Sequence, residues 1–150
     1  MIVVSIDSQS GEPPPLPSEV VISLVRSALT NIDINAGQVQ VVFTDDEYLR
    51  RLKQEFFDQN DYTDVIVFNL NEADEPLEGE IYISMDRALE NSLLYKEGYS
   101  RELMRLVIHG CLHLSGCEDD TPEAQANMRA LEERFLASAP ELQNNERHTH

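Results

Sequence analysis

Two histidines, His109 and His113, stand four residues apart in the run His109-Gly110-Cys111-Leu112-His113-Leu114-Ser115-Gly116-Cys117-Glu118-Asp119. On a helix that spacing puts both imidazoles on one face, one turn apart, where they can reach a single divalent ion. Gly116 can end the helix, because glycine accepts the left-handed conformation of a C-terminal cap. The chain can then turn back and offer an oxygen from Glu118, Asp119 or Asp120. Two nitrogens on a rigid helix and one oxygen on a turn leave a coordination position for water, the layout of a catalytic rather than a structural zinc site. Such an ion makes water more acidic and polarises a phosphoryl oxygen, and both effects suit phosphodiester hydrolysis.

A pair of histidines at this spacing also occurs in ordinary helices, so the rest of the face matters. Leu103, Val107, Gly110 and Leu114 follow one apolar stripe that should face a core. His109 and His113 lie off that stripe, near Glu102 and Leu106. Metallopeptidases place a glutamate directly after the first histidine as general base. Here that residue is Gly110, which argues against peptide hydrolysis. Glu118 and Asp120 are the candidates for a catalytic base, and each also reads as a solvated turn acid. Asp64 and Glu80 sit at strand positions and read equally as supporting acids or surface acids. His148 and His150 fall in a polar tail.

The elements that must position these groups can be read from periodicity. Residues 1–7 form a β-rich run. Ser18 is placed to cap a helix through about Thr30, with Val20, Val21, Leu24, Val25 and Leu29 on its apolar side. Strand 39–44 follows. Thr44 with Glu47 has the form of a capping box for a helix to about Phe57. The segment 62–70 contains Thr63-Asp64-Val65-Ile66-Val67-Phe68, an apolar run suited to an inner strand. The segment 71–78 is an acidic loop, and 79–84 is a fourth strand. Helices are expected over 85–96, over 100–115 with Ser100 as cap, and from Thr121 with Pro122 at its first position to about Ala137. Strands and helices in the first half, then mostly helix, predict an α+β fold: a small mixed sheet packed with about five helices, the histidine pair on a central one. Residues 1–139 are expected to form one domain and 140–150 a flexible polar tail.

The chain of 150 residues is long enough for a core, and its 41% hydrophobic content is that of a globular protein. No run has the ~20 apolar residues of a membrane span. The N-terminus does not read as a secretory signal, so the cytoplasm is expected. Cys111 and Cys117 are then expected as free thiols, with Cys117 a minor alternative ligand. The net charge of −17 weighs against nucleic-acid binding, which usually shows a basic footprint. The acids cluster at 45–47, 72–80, 118–123 and in the tail, however, so a local basic groove is compatible with the total.

The motif resembles the signature of the YbeY family, bacterial metal-dependent endoribonucleases of ribosomal RNA maturation. That signature reads H-G-x-L-H-L-x-G-Y-D-H, and its three histidines bind zinc. His109, Gly110, Leu112, His113, Leu114 and Gly116 match it. Cys117 and Glu118 replace Tyr and Asp, and Asp119 stands where the third histidine is expected. The segments Thr63-Asp64-Val65-Ile66-Val67-Phe68 and Gly79-Glu80-Ile81-Tyr82-Ile83-Ser84 are similar to two strands of the family, so the likeness spans roughly 39–136.

The resemblance implies a four-stranded sheet with one antiparallel strand, and a metal held by His109, His113 and Asp119. Zinc is the expected ion, with nickel, manganese and iron as alternatives. It implies single-strand-specific RNA cleavage in ribosomal RNA maturation and ribosome quality control. The implied partners are RNA, small-subunit ribosomal proteins and an Era-type GTPase. The family usually carries an arginine, held important for cleavage, where this chain has Phe57. Arg50, Arg51 or Lys53 could substitute for it. Without a substitute, a binding factor of ribosome assembly with a structural metal is the alternative, followed by a metallohydrolase of another substrate.

Overall fold

The alternation of apolar residues in Val39, Val41 and Phe43, and again in Leu77, Gly79, Ile81 and Ile83, makes two strands that share one buried face. A computed structural model describes residues 1–9 and 11–138 and places these strands at the centre of a four-stranded sheet. The order along the chain is β1 (Ile2–Ser8), α1 (Ser18–Thr30), β2 (Gly37–Thr44), α2 (Asp46–Phe57), β3 (Val65–Asn69), β4 (Leu77–Ser84), α3 (Met85–Leu94), α4 (Tyr99–Leu114) and α5 (Pro122–Ala137). The sheet order is β1-β2-β4-β3. β1 and β4 run parallel to β2, and β3 runs antiparallel to β4, so the apolar run expected as an inner strand is an edge strand whose two faces are covered by α4 and α2. The expected α+β class, with five helices and a mixed four-stranded sheet, is what the described residues form. The expected tail over 140–150, with His148 and His150, lies outside the described residues.

Register sorts the layers. Val41 pairs with Ile81 and Ile81 with Val67, so these side chains stand on one face with Phe43 and Ile83. That face packs under α1 and α4, and its residues join Leu103, Val107 and Leu114 in one buried cluster. Tyr82 and Phe68 point the other way, where Tyr48, Phe56 and Phe57 of α2 meet them ring against ring. The helix that carries the histidines lies very close to the sheet. A Cβ on Gly110 would come within 2.6 Å of Ile81 Cγ2, and one on Gly79 within 2.6 Å of Leu114 Cδ2. The motif glycine is therefore a packing requirement of α4 against β4.

Helix starts differ from the expected caps. α1 begins after Pro17 with no side-chain cap. α2 is capped by Asp45, whose carboxylate accepts from Tyr48 N, because Thr44 is the last, fully buried residue of β2. Glu47 pairs with Arg50 rather than closing a capping box. α4 starts at Tyr99 after Gly98, so Ser100 lies inside it. α5 starts as expected, with Thr121 Oγ1 accepting from Ala124 N and Pro122 at the first position. Among the described residues no helix is long and apolar enough to cross a membrane.

Candidate functional site

Residues 102–104, 106–108, 110–112 and 114 of α4 are all buried. Both Glu102 and Leu106 are among them, so the core surrounds the helix far more fully than one apolar stripe. From Arg101 onward, what remains is a narrow stripe of partly buried residues, every fourth position: Arg101, Arg105, His109 and His113. A repeat of four drifts only slowly around a helix of 3.6 residues per turn, so these side chains stack along one edge.

Below the histidines the helix closes as the glycine spacing predicts. Gly116 takes φ +98°, its N–H donates to His113 O, and the Cys117 N–H donates to Leu112 O. This double closure satisfies two end carbonyls and sends the chain back across the helix edge. The returning turn brings Asp119 Oδ2 to 3.5 Å from His113 Nε2 and 3.8 Å from His109 Nε2. The two Nε2 atoms are 3.0 Å apart. One ligand atom from each of the three residues thus lies within 4.8 Å of the others, and this His-His-Asp group could hold a metal ion. Glu118 and Asp120 are exposed on either side of Asp119. Cys117 does not join the group, and Cys111 is buried in the core.

A residue that sequence reasoning missed completes the arrangement. Glu132 of α5 is 2% exposed, and its Oε2 accepts from His109 Nδ1 at 2.6 Å. That bond assigns the proton to Nδ1 and leaves the Nε2 lone pair aimed at Asp119 and His113. The other oxygen of Glu132 accepts from Arg105 Nη1 at 2.9 Å. Arg105 also grips Glu102 through Nε and Nη2 at 2.9 and 2.7 Å. Asn91 Nδ2 donates to Glu102 and, at 3.3 Å, to Asp64. Glu80 is turned elsewhere, accepting from the Tyr82 hydroxyl. The sequence signal for Glu132 was an acid on the same helix stripe as the buried Met128 and Phe135.

The charges follow from these contacts. Burial alone would raise the Glu132 carboxyl, but His109 and Arg105 outweigh it and hold the group below the usual carboxylate range. Burial opposes the Arg105 charge too, and its two glutamates more than restore it. Burial and the neighbouring His109 lower the His113 pKa, against the pull of Asp119 and Glu132. His113 therefore favours the neutral imidazole that a metal ion needs.

Two openings flank the histidines. A cavity of about 330 Å³ lies on the α5 side, lined among others by His109, Asp119, Asp64, Asn91, Arg129 and Glu132. A more apolar groove of about 270 Å³ lies on the α2 side, lined by His113, Lys53, Phe57, Thr63, Val65 and Val67. Of the expected substitutes for a cation at position 57, Arg50 is paired with Glu47 and stacks on Tyr62, Lys53 is paired with Asp61, and Arg51 is exposed and lines neither opening.

Known proteins are similar to this chain in fold and in sequence. The solution structure of TM1509 from Thermotoga maritima superposes with a TM-score of 0.66, covering 96% of this chain and 93% of that one, at 23% identity. That likeness supports the fold. The Endoribonuclease YbeY of Porphyromonas gingivalis strain W83 is 42% identical over 100 residues, 67% of this chain and 66% of that protein. The Endoribonuclease YbeY of Chlorobium phaeobacteroides is 35% identical over 127 residues, 85% of this chain and 91% of that protein. The family model described as Endoribonuclease YbeY matches residues 14–140. With most of its length matched by that model, and with relatives at 35% identity or more, the chain belongs to the YbeY family.

Proposed function

We propose that the protein is a metal-dependent endoribonuclease that cuts single-stranded RNA in the cytoplasm, during ribosomal RNA maturation and ribosome quality control. The observation that carries this reading is the convergence of His109, His113 and Asp119 within 4.8 Å, beside an open polar cavity. The donor set fits a divalent ion. Two imidazole nitrogens and a carboxylate oxygen come from a helix and its closing turn, and Glu132 supports one imidazole from behind. Zinc is the first choice; the hard oxygen of Asp119 makes manganese, iron and nickel reasonable alternatives. When bound, such an ion supplies Lewis-acid polarisation of a phosphoryl oxygen and a more acidic water.

The protein's own residues do the rest. Glu132 and Arg105 hold His109 in one tautomer and one orientation. Asp119 sits on the turn that Gly116 creates, so the metal's third donor and the end of α4 are one structural unit. Glu118 and Asp120 flank it, exposed, as the acids nearest in sequence for accepting a proton. A flexible strand can bring a phosphate into line at this open site more easily than a regular duplex can. A net charge of −17 keeps affinity for free RNA low and salt-sensitive. Recruitment by a small-subunit ribosomal protein or an Era-type GTPase would offset that by raising the local concentration.

The test is purified, metal-analysed protein on labelled single-stranded and duplex RNA of one sequence. One tightly held ion per chain is expected, with single strands cut faster. His109→Ala or His113→Ala should each remove the stoichiometric metal and the cleavage together. Cleavage that survives His113→Ala belongs to a contaminant. Metal without cleavage of any RNA would overturn the nuclease reading in favour of a ribosome-assembly binding factor.

A further inference from the structure

An RNA strand at the histidine pair needs a cation for its phosphates, and the α5-side cavity is lined by Asp64, Asp119 and Glu132. Two arginines reach the same cavity. Arg105 is spent: three of its guanidinium nitrogens are bonded to Glu102 and Glu132. Arg129 differs. It is exposed, and none of the ion pairs among the described residues includes it.

Its position on α5 is fixed by neighbours that already touch the site. Gln125, Met128, Arg129 and Glu132 follow the i, i+3, i+4, i+7 spacing of one helix face, and all four line the cavity. Gln125 Nε2 donates to the Asp119 carbonyl at 2.9 Å, which ties α5 to the ligand turn. Glu132 holds His109 one turn further on. Arg129 therefore leaves the helix between the residue that holds the Asp119 turn and the residue that holds His109, with its charge uncommitted.

We propose that Arg129 binds a phosphate of the RNA strand beside the His109–His113–Asp119 group, from the α5 wall of the cavity. The inference rests on RNA being what this site binds, the part of the proposed function that does not require cleavage. It gives the site the cation that Phe57 cannot supply, from the opposite side of the histidine pair. Guanidinium is suited to this, because its paired N–H groups match two phosphate oxygens.

The experiment compares wild type, Arg129→Gln, Arg129→Lys and Lys53→Gln, each with its metal content measured. Binding is followed by the anisotropy of a labelled single-stranded 2′-O-methyl RNA, which resists cleavage, across a salt series. Arg129→Gln should keep its metal, bind about tenfold more weakly at low salt, and lose about one unit of the slope of log Kd against log salt. Arg129→Lys should restore most of the slope and part of the affinity. On cleavable RNA the same loss should fall mainly on KM. An unchanged affinity and slope in Arg129→Gln would overturn the proposal. So would a wild type that shows no binding at low salt, or a loss confined to Lys53→Gln, which would put the strand in the α2-side groove. A wild type that binds through Arg129 but cuts nothing would support this inference and overturn the nuclease reading alone.

Discussion

Glu132 Oε2 lies 2.6 Å from His109 Nδ1, joining a buried carboxylate of α5 to the first histidine of α4. A carboxylate behind a metal-binding imidazole fixes the ring and increases its basicity, and losing such a partner typically costs 10–100-fold in metal affinity. Here the same carboxylate also neutralises Arg105.

Glu132→Ala should therefore show two separable losses. Metal affinity should fall about 10–100-fold in a chelator competition. Stability should fall by about 3 kcal/mol, because one partner of a buried ion pair is removed. Glu132→Gln keeps an acceptor for Nδ1 and should lose less of both. If Glu132→Ala binds metal as wild type does, the carboxylate serves only Arg105.

Asp119→His tests the oxygen donor. Exchanging a hard oxygen for an imidazole nitrogen should move preference toward zinc over manganese, by about tenfold in a two-metal competition. Asp119→Ala should weaken both ions. A preference unchanged in Asp119→His would remove Asp119 from the ligand set.

The histidine pair and its closing glycine were legible in the sequence because every determinant is local. The spacing of His109 and His113, the cap at Gly116 and the return of Asp119 all fall within 11 consecutive residues. The α+β order was legible for the same reason, from period-two and period-3.6 runs. Glu132 was not legible. Its role depends on α5 docking across α4, a tertiary event 23 residues away from His109 in sequence. Leu106 and Glu102 were set beside the histidines and off the core stripe, yet both are buried, because α1, α3, α5 and the sheet surround α4. Helix caps were misplaced by a residue or two: Asp45 caps α2 because Thr44 belongs to β2, and Gly98 takes the boundary of α4 ahead of Ser100.

Gly110→Ala should destabilise the fold without touching the ligands. The added methyl would meet Ile81 Cγ2 at 2.6 Å, and overpacking of this kind costs about 1–3 kcal/mol. Better helix propensity returns up to about 1 kcal/mol. A lower melting temperature with full metal content is expected. The loss should shrink in an Ile81→Ala background, where the methyl has room. Additive losses in the double variant would mean that Ile81 is not the obstacle.

The two thiols should separate by reactivity. Burial pushes the Cys111 thiol up to about 12, while Cys117 is half-buried beside Ser115. A thiol reagent at pH 8 should label Cys117 first and Cys111 only on unfolding. The sign of the pH effect follows. Above the ordinary thiol pKa of about 8.5 the unfolded chain releases a proton that folded Cys111 retains, so stability falls as pH rises from there toward 12. Cys111→Ala should flatten that fall in a series of denaturant melts. Equal labelling rates for both thiols in the folded protein would contradict the buried position of Cys111.

Phe57→Arg tests whether the α2-side groove can serve the strand as well. Phe57 is 48% exposed, stacks on Phe68 with centroids 5.9 Å apart, and shares the groove with His113. Removing a partly exposed aromatic pair costs about 0.5–1.5 kcal/mol, and a guanidinium can stack on Phe68 in its place. The variant should therefore fold and hold its metal. Its new charge would lie on the far side of the histidine pair from Arg129, near developing negative charge at phosphorus. Cleavage of single-stranded RNA should rise, by about tenfold, since preorganised cations act most strongly on charge that appears in the transition state. The same substitution in Arg129→Gln should recover part of the lost affinity, because either cation neutralises a phosphate of the same strand. The measurement is kcat/KM for the four combinations at two salt concentrations. A rate that does not rise in Phe57→Arg, with metal content intact, would mean that the strand never enters the groove beside His113 and that the α5-side cavity is its only path.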